Sequence, residues 1–142
     1  MDSKEKAHKI AEEQMYNQDA FSQWLGIDIV ALDAGQAVLK MVVRKEMTNG
    51  FGIAHGGITY SLADSALAFA ANAHGRQSVS VETSISHTQS VKTGDELTAT
   101  ACEESLSHKI GVYRIIITNQ EKVTVAVFKG VVYRSSKEWP LS

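Results

Sequence analysis

The chain has 142 residues, a length typical of one domain, with 44% hydrophobic residues, 21% charged residues and a formal net charge of -2. This balance excludes a disordered or low-complexity chain and gives no electrostatic basis for binding nucleic acid or an anionic membrane. The single cysteine, Cys102, excludes an internal disulfide and no Cys/His spacing resembles a zinc site, so we expect a reducing, cytoplasmic location.

The sequence of residues 1–26 indicates short helices at the N-terminus, here called the flap. Asp2 is placed to cap a first helix that extends to about Tyr16, with apolar residues at helical spacing. Asp19 is placed to cap a second short helix, and Gly26 suits the left-handed position that ends it. The flap lacks the apolar core of a secretory signal, and no apolar run approaches the ~20 residues that span a bilayer. On the second helix the residues expected on the buried side are Phe21, Trp24 and Leu25.

Strands and one long helix account for the rest of the chain. Residues 27–33 and 36–44 alternate in the manner of a β-hairpin, and residues 58–74 form an alanine-rich helical pattern. Connections of two to eight residues are too short for helical crossovers, so the strands should be antiparallel. The pattern predicts one α+β domain over residues 1–142, with a curled antiparallel sheet around one long helix. The four later strands are expected at residues 78–87, 96–106, 109–118 and 122–134.

A glycine-rich loop, residues 49–57, opens onto the long helix. Backbone N–H groups at a helix N-terminus have no intrahelical partner, and Gly56 and Gly57 would let a substrate carbonyl oxygen approach them directly. That is the construction of an oxyanion hole. His55 could orient this loop or donate a second hydrogen bond, and the Asn49 amide could hold a water molecule or the substrate. The alternative is a plain strand-to-helix turn with glycines at positive φ.

Asp64 is an acid in the middle of the long helix, among small and apolar residues. Aspartate is a poor helix former, so its presence there suggests a chemical role, although it could also lie on a solvated face with Ser61 and Ser65. Gly56 and Asp64 are eight residues apart, which separates them by ~12 Å along one helix. A catalytic base and an oxyanion donor must both come within ~3 Å of the reacting group. The spacing therefore predicts a site shared by two subunits across a twofold axis.

The run from Asn49 through Ser65 resembles the signature of hotdog-fold acyl-CoA thioesterases of the phenylacetate-degradation PaaI type. The residues that carry the resemblance are His55-Gly56-Gly57 and Ser61-Leu62-Ala63-Asp64, and the similarity extends from about Phe21 to Arg134. It implies a hotdog fold and hydrolysis of an acyl-CoA thioester, often an aryl or arylacetyl one, without metal or cofactor. It also implies a homodimer, and a homotetramer built as a dimer of dimers.

The resemblance also implies roles for individual residues. Gly56 would polarise the thioester carbonyl through its N–H, and Asp64 of the partner subunit would be the nucleophile or general base. Asn49 would place water or substrate, and His55 would support the loop. The position of Ser80 matches a serine that holds the attacking water in some related thioesterases. Contacts with the substrate are further expected from Gly57, Ser61, Ser65 and Lys92, the last through a phosphate of coenzyme A.

Two other functions remain open at this stage. One is a hotdog dehydratase or hydratase that acts on acyl thioesters, and the other is a non-catalytic hotdog module that binds acyl-CoA. The stretch Ser86-His87-Thr88-Gln89-Ser90 departs from the family pattern, which often has a larger apolar residue and a proline there. This polar strand end leaves the identity of the acyl group open.

Overall fold

In a computed structural model of the chain, which describes residues 1–142, the N-terminal segment is helical as its capping residues predict. Helix α1 spans Ser3–Ala7 and continues through a π-helical stretch, His8–Met15, and a 3-10 turn, Tyr16–Gln18. The Asp2 carboxylate accepts a hydrogen bond from the Glu5 N–H at 2.8 Å. Asp19 caps helix α2, Ala20–Leu25, through the Ser22 N–H at 2.9 Å, and Gly26 ends that helix at φ 74°. Both helices are therefore set by their caps.

The side of α2 that faces inward is not the predicted one. Leu25 is buried, but Phe21 and Trp24 are 53% and 47% exposed. Their rings stack on each other with centroids 6.0 Å apart, and the Arg44 guanidinium lies 5.0 Å from the Trp24 ring. The prediction that Phe21 and Trp24 are buried is wrong because Ser22 occupies the inner side of the helix.

Six strands form one antiparallel sheet in the order β1-β2-β4-β5-β6-β3. The sheet confirms the predicted antiparallel pairing, but the eight-residue connection 88–95 does not form a hairpin. It leads from β3, which lies at one edge beside β6, to β4 in the interior of the sheet. The outer edge of β3 has no strand beside it. The strands are Asp28–Asp33 (β1), Gln36–Val42 (β2), Arg76–His87 (β3), Glu96–Leu106 (β4), Ile110–Thr118 (β5) and Thr124–Glu138 (β6).

The long helix α3, Gly56–Asn72, packs across this sheet. A short 3-10 turn, Lys45–Met47, leads from β2 towards the loop that precedes the helix. The helix comes so close to β6 that a Cβ added to Gly130 would lie 2.5 Å from Leu67 Cδ2. The curled sheet around one helix is the hotdog arrangement that the resemblance implies. The inner side of α3 is apolar and buried at Leu62, Ala66, Phe69 and Ala70, and the C-cap residue Ala73 is also buried.

None of the helices combines the length and the apolar character needed to cross a membrane.

Candidate active site

The N-terminus of α3 begins with a free backbone donor, the Gly56 N–H. His55 is the N-cap residue, and its Nδ1 accepts a hydrogen bond from the Gly57 N–H at 2.9 Å. That bond places the proton of the neutral ring on Nε2. The N–H of Gly56 donates to no other group of the chain. The predicted loop-orienting role of His55 therefore has a geometric basis, and of the two glycine donors only that of Gly56 is free.

Gly56 lies in an open cleft of about 350 Å³, here called the glycine cleft. Asn49 lines the same cleft, as predicted from the loop. Its Oδ1 accepts a hydrogen bond from the Phe51 N–H at 2.9 Å, and its Nδ2 group has no partner in the chain. The glycine cleft is therefore lined by two residues with unpaired donors, the Gly56 N–H and the Asn49 Nδ2 group. The other residues of the cleft are mainly polar: Ile53, Ala54, Thr59, His87, Thr88, Gln89, Ser90 and Val91.

Asp64 lies in a different cleft, of about 330 Å³, here called the aspartate cleft. Its half-buried carboxylate accepts no hydrogen bond from the chain. Burial, and to a smaller degree the charge of Asp19, raise the pKa of Asp64 above its ordinary value. Ser80 lines the same cleft, and so does Trp139, whose Nε1–H donates to the Asn72 Oδ1 at 2.9 Å. A carboxylate without hydrogen-bond partners and with a raised pKa is a suitable base or nucleophile.

Four other residues predicted to contact the substrate line neither cleft. The Ser61 hydroxyl donates to the Gly57 carbonyl at 2.7 Å, and the Ser65 hydroxyl lies 2.8 Å from that of Ser22. Gly57 donates its N–H to His55. Lys92 is exposed in the loop before β4, where its backbone N–H bonds to the Asp95 carboxylate. Within one subunit, these groups make structural contacts.

His87 is a candidate that the sequence reasoning did not assign. It ends β3, and its Nδ1 lies 3.2 Å from the Thr59 hydroxyl. Its Nε2 lies 3.2 Å from the position that a Cβ would take on Gly56. His87 is the one ionisable side chain that lines the glycine cleft. The available signal was the departure from the family pattern at this position.

In this chain no three His, Cys, Asp or Glu side chains converge to hold a metal ion.

The two clefts lie at opposite ends of strand β3. Ser80 accompanies Asp64 in the aspartate cleft, and His87 accompanies Gly56 in the glycine cleft. Between them, the Tyr60 hydroxyl lies 2.5 Å from that of Thr83. One subunit therefore holds the free donor and the carboxylate apart, as the eight-residue spacing along α3 requires.

Comparison with known proteins gives a consistent result. Residues 51–126 match the family model described as the thioesterase superfamily. The chain is 43% identical over 120 residues to the acyl-coenzyme A thioesterase PaaI of Escherichia coli strain K12, an alignment that covers 84% of this chain and 86% of that protein. It is 34% identical over 84 residues to human acyl-coenzyme A thioesterase 13, which covers 57% of this chain and 60% of that protein.

Solved structures share the fold over most of the chain. The E. coli PaaI protein from the phenylacetic acid degradation operon superposes with a TM-score of 0.93 at 40% identity, covering 96% of this chain and 98% of that one. The smu.793 protein of Streptococcus mutans UA159, solved bound to acetyl CoA, superposes with a TM-score of 0.77 at 26% identity, covering 80% of this chain and 91% of that one.

Proposed function

This chain belongs to the thioesterase superfamily as a thioester hydrolase of the hotdog, PaaI-like type, and we propose that it hydrolyses acyl-coenzyme A to a free acid and coenzyme A across a dimer interface. The acyl group proposed is an aryl or arylacetyl one, as the resemblance implies. The similarity to the E. coli acyl-coenzyme A thioesterase supports an acyl-coenzyme A as the substrate.

The observation that carries the proposal is the free N–H of Gly56 at the start of α3. During attack on a thioester, negative charge develops on the carbonyl oxygen. A fixed N–H at the positive end of a helix dipole stabilises that charge by about 3 kcal/mol in a dry site. Because the neighbouring Gly57 N–H is bonded to His55, Gly56 is the backbone donor assigned to the carbonyl oxygen. The Nδ2 group of Asn49 is assigned to the substrate or to a water molecule.

Asp64 is the proposed nucleophile or general base. In the first case its carboxylate attacks the thioester carbon, expels the thiolate and forms an anhydride, which water then hydrolyses. In the second case it takes a proton from the attacking water. Ser80, which lines the aspartate cleft with it, is placed to hold that water. The partial burial that raises the pKa of Asp64 also strengthens it as a base.

A twofold dimer would bring the two clefts together. Strand β3 ends the sheet, and its Val79 and Val81 side chains are 64% and 60% exposed. A long unpaired edge strand with exposed apolar residues favours pairing with another strand. Tyr60, halfway along α3 between Gly56 and Asp64, contacts β3 near its middle. Antiparallel pairing of two β3 strands about that point would place Asp64 of one copy near Gly56 of the other, twice per dimer.

The phosphates of coenzyme A need cations, and β3 and β6 supply two arginines. Arg76 donates to the His108 carbonyl, and Arg134 donates to the Ser107 carbonyl at 2.7 Å. Neither forms a salt bridge with a carboxylate of the chain. Together with Lys92 and Lys109, they are the proposed phosphate contacts.

A thiol-release assay tests the proposal. We expect free coenzyme A to appear with one or more members of a panel of short-chain, long-chain and arylacetyl CoA thioesters. Asp64→Ala and Asp64→Asn should fold normally and lose at least about 100-fold in kcat. Asp28→Asn, an exposed aspartate away from both clefts, is the matched control and should keep full activity. Full activity in Asp64→Ala would refute the assigned role, and binding without thiol release would indicate a non-catalytic acyl-CoA module.

Isotope labelling separates the two roles of Asp64. A single turnover in labelled water takes up one labelled oxygen. After direct attack by Asp64, hydrolysis of the anhydride at its aspartyl carbon puts that oxygen in the Asp64 carboxylate and leaves an unlabelled aspartate oxygen in the product acid. Attack by water leaves label in the product acid alone. The dimer of dimers, the reaction without metal or cofactor, and the cytoplasmic location remain predictions.

A further inference from the structure

We infer that His87 is a second catalytic residue, which donates a proton from its Nε2 to the sulfur of the departing thiolate. The inference rests on the proposed thioester hydrolysis and adds a proton donor to it. In that proposal Gly56 binds the carbonyl oxygen and Asp64 supplies or activates the nucleophile. No group has yet been assigned to the leaving sulfur.

Hydrogen bonding at the start of α3 fixes the orientation of the His87 ring. Thr59 is buried, and its hydroxyl donates its one proton to the Gly56 carbonyl at 3.1 Å. The same oxygen lies 3.2 Å from His87 Nδ1, so while the hydroxyl proton is on the Gly56 carbonyl the oxygen accepts there. In this arrangement Nδ1 carries a proton, and Nε2 of the imidazolium is the nitrogen that exchanges a proton with a ligand or solvent.

The position of Nε2 places it beside the bound thioester. It lies 3.2 Å from where a Cβ would stand on Gly56, the residue whose N–H is assigned to the carbonyl oxygen. The sulfur and the carbonyl oxygen of a thioester are attached to the same carbon. A group that borders the oxygen site so closely is within reach of the sulfur, directly or through one water molecule. His87 is exposed in the single subunit, and solvent restores its proton after the products leave.

When the tetrahedral intermediate collapses, the C–S bond breaks and its electron pair goes to sulfur, while the carbonyl re-forms. Sulfur takes the Nε2 proton of the imidazolium, which becomes a neutral imidazole that still donates from Nδ1 to Thr59. Of the side chains that line the glycine cleft, His87 alone can supply this proton, because the others are not ionisable.

A pair of truncated substrates tests this role. One is the arylacetyl thioester of N-acetylcysteamine, whose alkyl thiolate is a poor leaving group. The other is the same acyl group on thiophenol, whose thiolate is stabilised by its ring and leaves without a proton. Both lack the nucleotide, so they differ at the sulfur and not at the phosphates. For His87→Ala we expect kcat/KM to fall about 100-fold on the alkyl thioester and to change by less than about threefold on the aryl thioester.

Further variants separate proton donation from positioning. His87→Gln keeps a hydrogen-bonding side chain that cannot donate a full proton, and it should show the same selective loss. Thr59→Val removes the hydroxyl that accepts from Nδ1 and should show a smaller selective loss on the alkyl thioester. Thr59→Ser keeps the hydroxyl and should retain the wild-type ratio of kcat/KM between the two substrates. An equal loss on both substrates, or no loss, would overturn the inference and leave the proposed function intact. A wild-type chain that released neither thiol, and no coenzyme A from the panel, would overturn both.

Discussion

The shared site makes a specific prediction about mixtures of two inactive variants. Gly56→Pro removes the free N–H and adds a ring whose Cβ would lie 3.2 Å from His87 Nε2. Proline is well tolerated at the first position of a helix, and the preceding His55, at φ -61° and ψ 139°, has the extended conformation that a following proline requires. Gly56→Ala is the matched control, since it adds a Cβ at the same place and keeps the donor. The second variant, Asp64→Asn, removes the carboxylate.

The expected recovery follows from the arrangement of the sites. A mixed dimer of Gly56→Pro and Asp64→Asn has one site that carries both substitutions and one site that carries neither. Random assembly makes about half of the dimers mixed, so the mixture should recover about a quarter of the wild-type rate. Each variant alone should retain about 1% or less of that rate.

The assay compares two preparations of the same total concentration. In one, the two variants are unfolded together in urea and refolded as a mixture; in the other, they are refolded separately and assayed directly after mixing. Only the first should recover activity at once, and a mixture of Asp64→Ala with Asp64→Asn should recover none. A co-refolded mixture that is no more active than its components, while Gly56→Ala folds and Gly56→Pro is inactive, would refute the shared site.

Three further predictions concern single variants. Gly130→Ala should lower the free energy of unfolding by about 1–3 kcal/mol in urea denaturation, because the new Cβ would overlap Leu67, whereas Gly50→Ala meets no atom and should change it little. The pKa of Asp64 is higher in the folded state than its ordinary value of 3.8. The ionised carboxylate therefore lowers the free energy of unfolding as the pH rises from 3.8 through the raised pKa. Asp64→Asn should therefore be more stable than wild type at neutral pH but not below pH 3.8. The wild-type rate should fall when Asp64 is protonated, so its acidic decline should occur at a pH above 3.8. Ser80→Ala should lower kcat about tenfold with KM unchanged if it holds the attacking water, as steady-state kinetics would show.

Local rules were enough to predict the secondary structure. Asp2 and Asp19 cap helices α1 and α2 as predicted, and Gly26 takes the left-handed conformation that ends α2. These features depend on a few neighbouring residues, so a sequence contains what is needed to predict them. The partner of strand β3 depends on how the whole sheet curls, and the short connection to β4 suggested the wrong neighbour.

The residues that were misjudged are those whose environment is tertiary. Ser22 of α2 bonds to Ser65 of α3, and this contact turns Phe21 and Trp24 outward. The same contact engages the Ser65 hydroxyl, whose expected contact with the substrate stays a prediction. His87 was visible only as a departure from a family pattern, because its closeness to Gly56 arises from the packing of β3 against α3. The spacing of residues within one helix or strand does not predict which residues of another element they contact.

The position of Trp139 on the wall of the aspartate cleft gives the protein an internal optical reporter. The chain contains two tryptophans, and the other, Trp24, is 47% exposed beside Arg44 on the flap. Replacing Trp24 with phenylalanine would leave one indole in the whole chain, hydrogen-bonded to Asn72 in the cleft that contains Asp64. The emission of that indole would then change with whatever enters the cleft, so occupancy could be followed in a variant that no longer turns over.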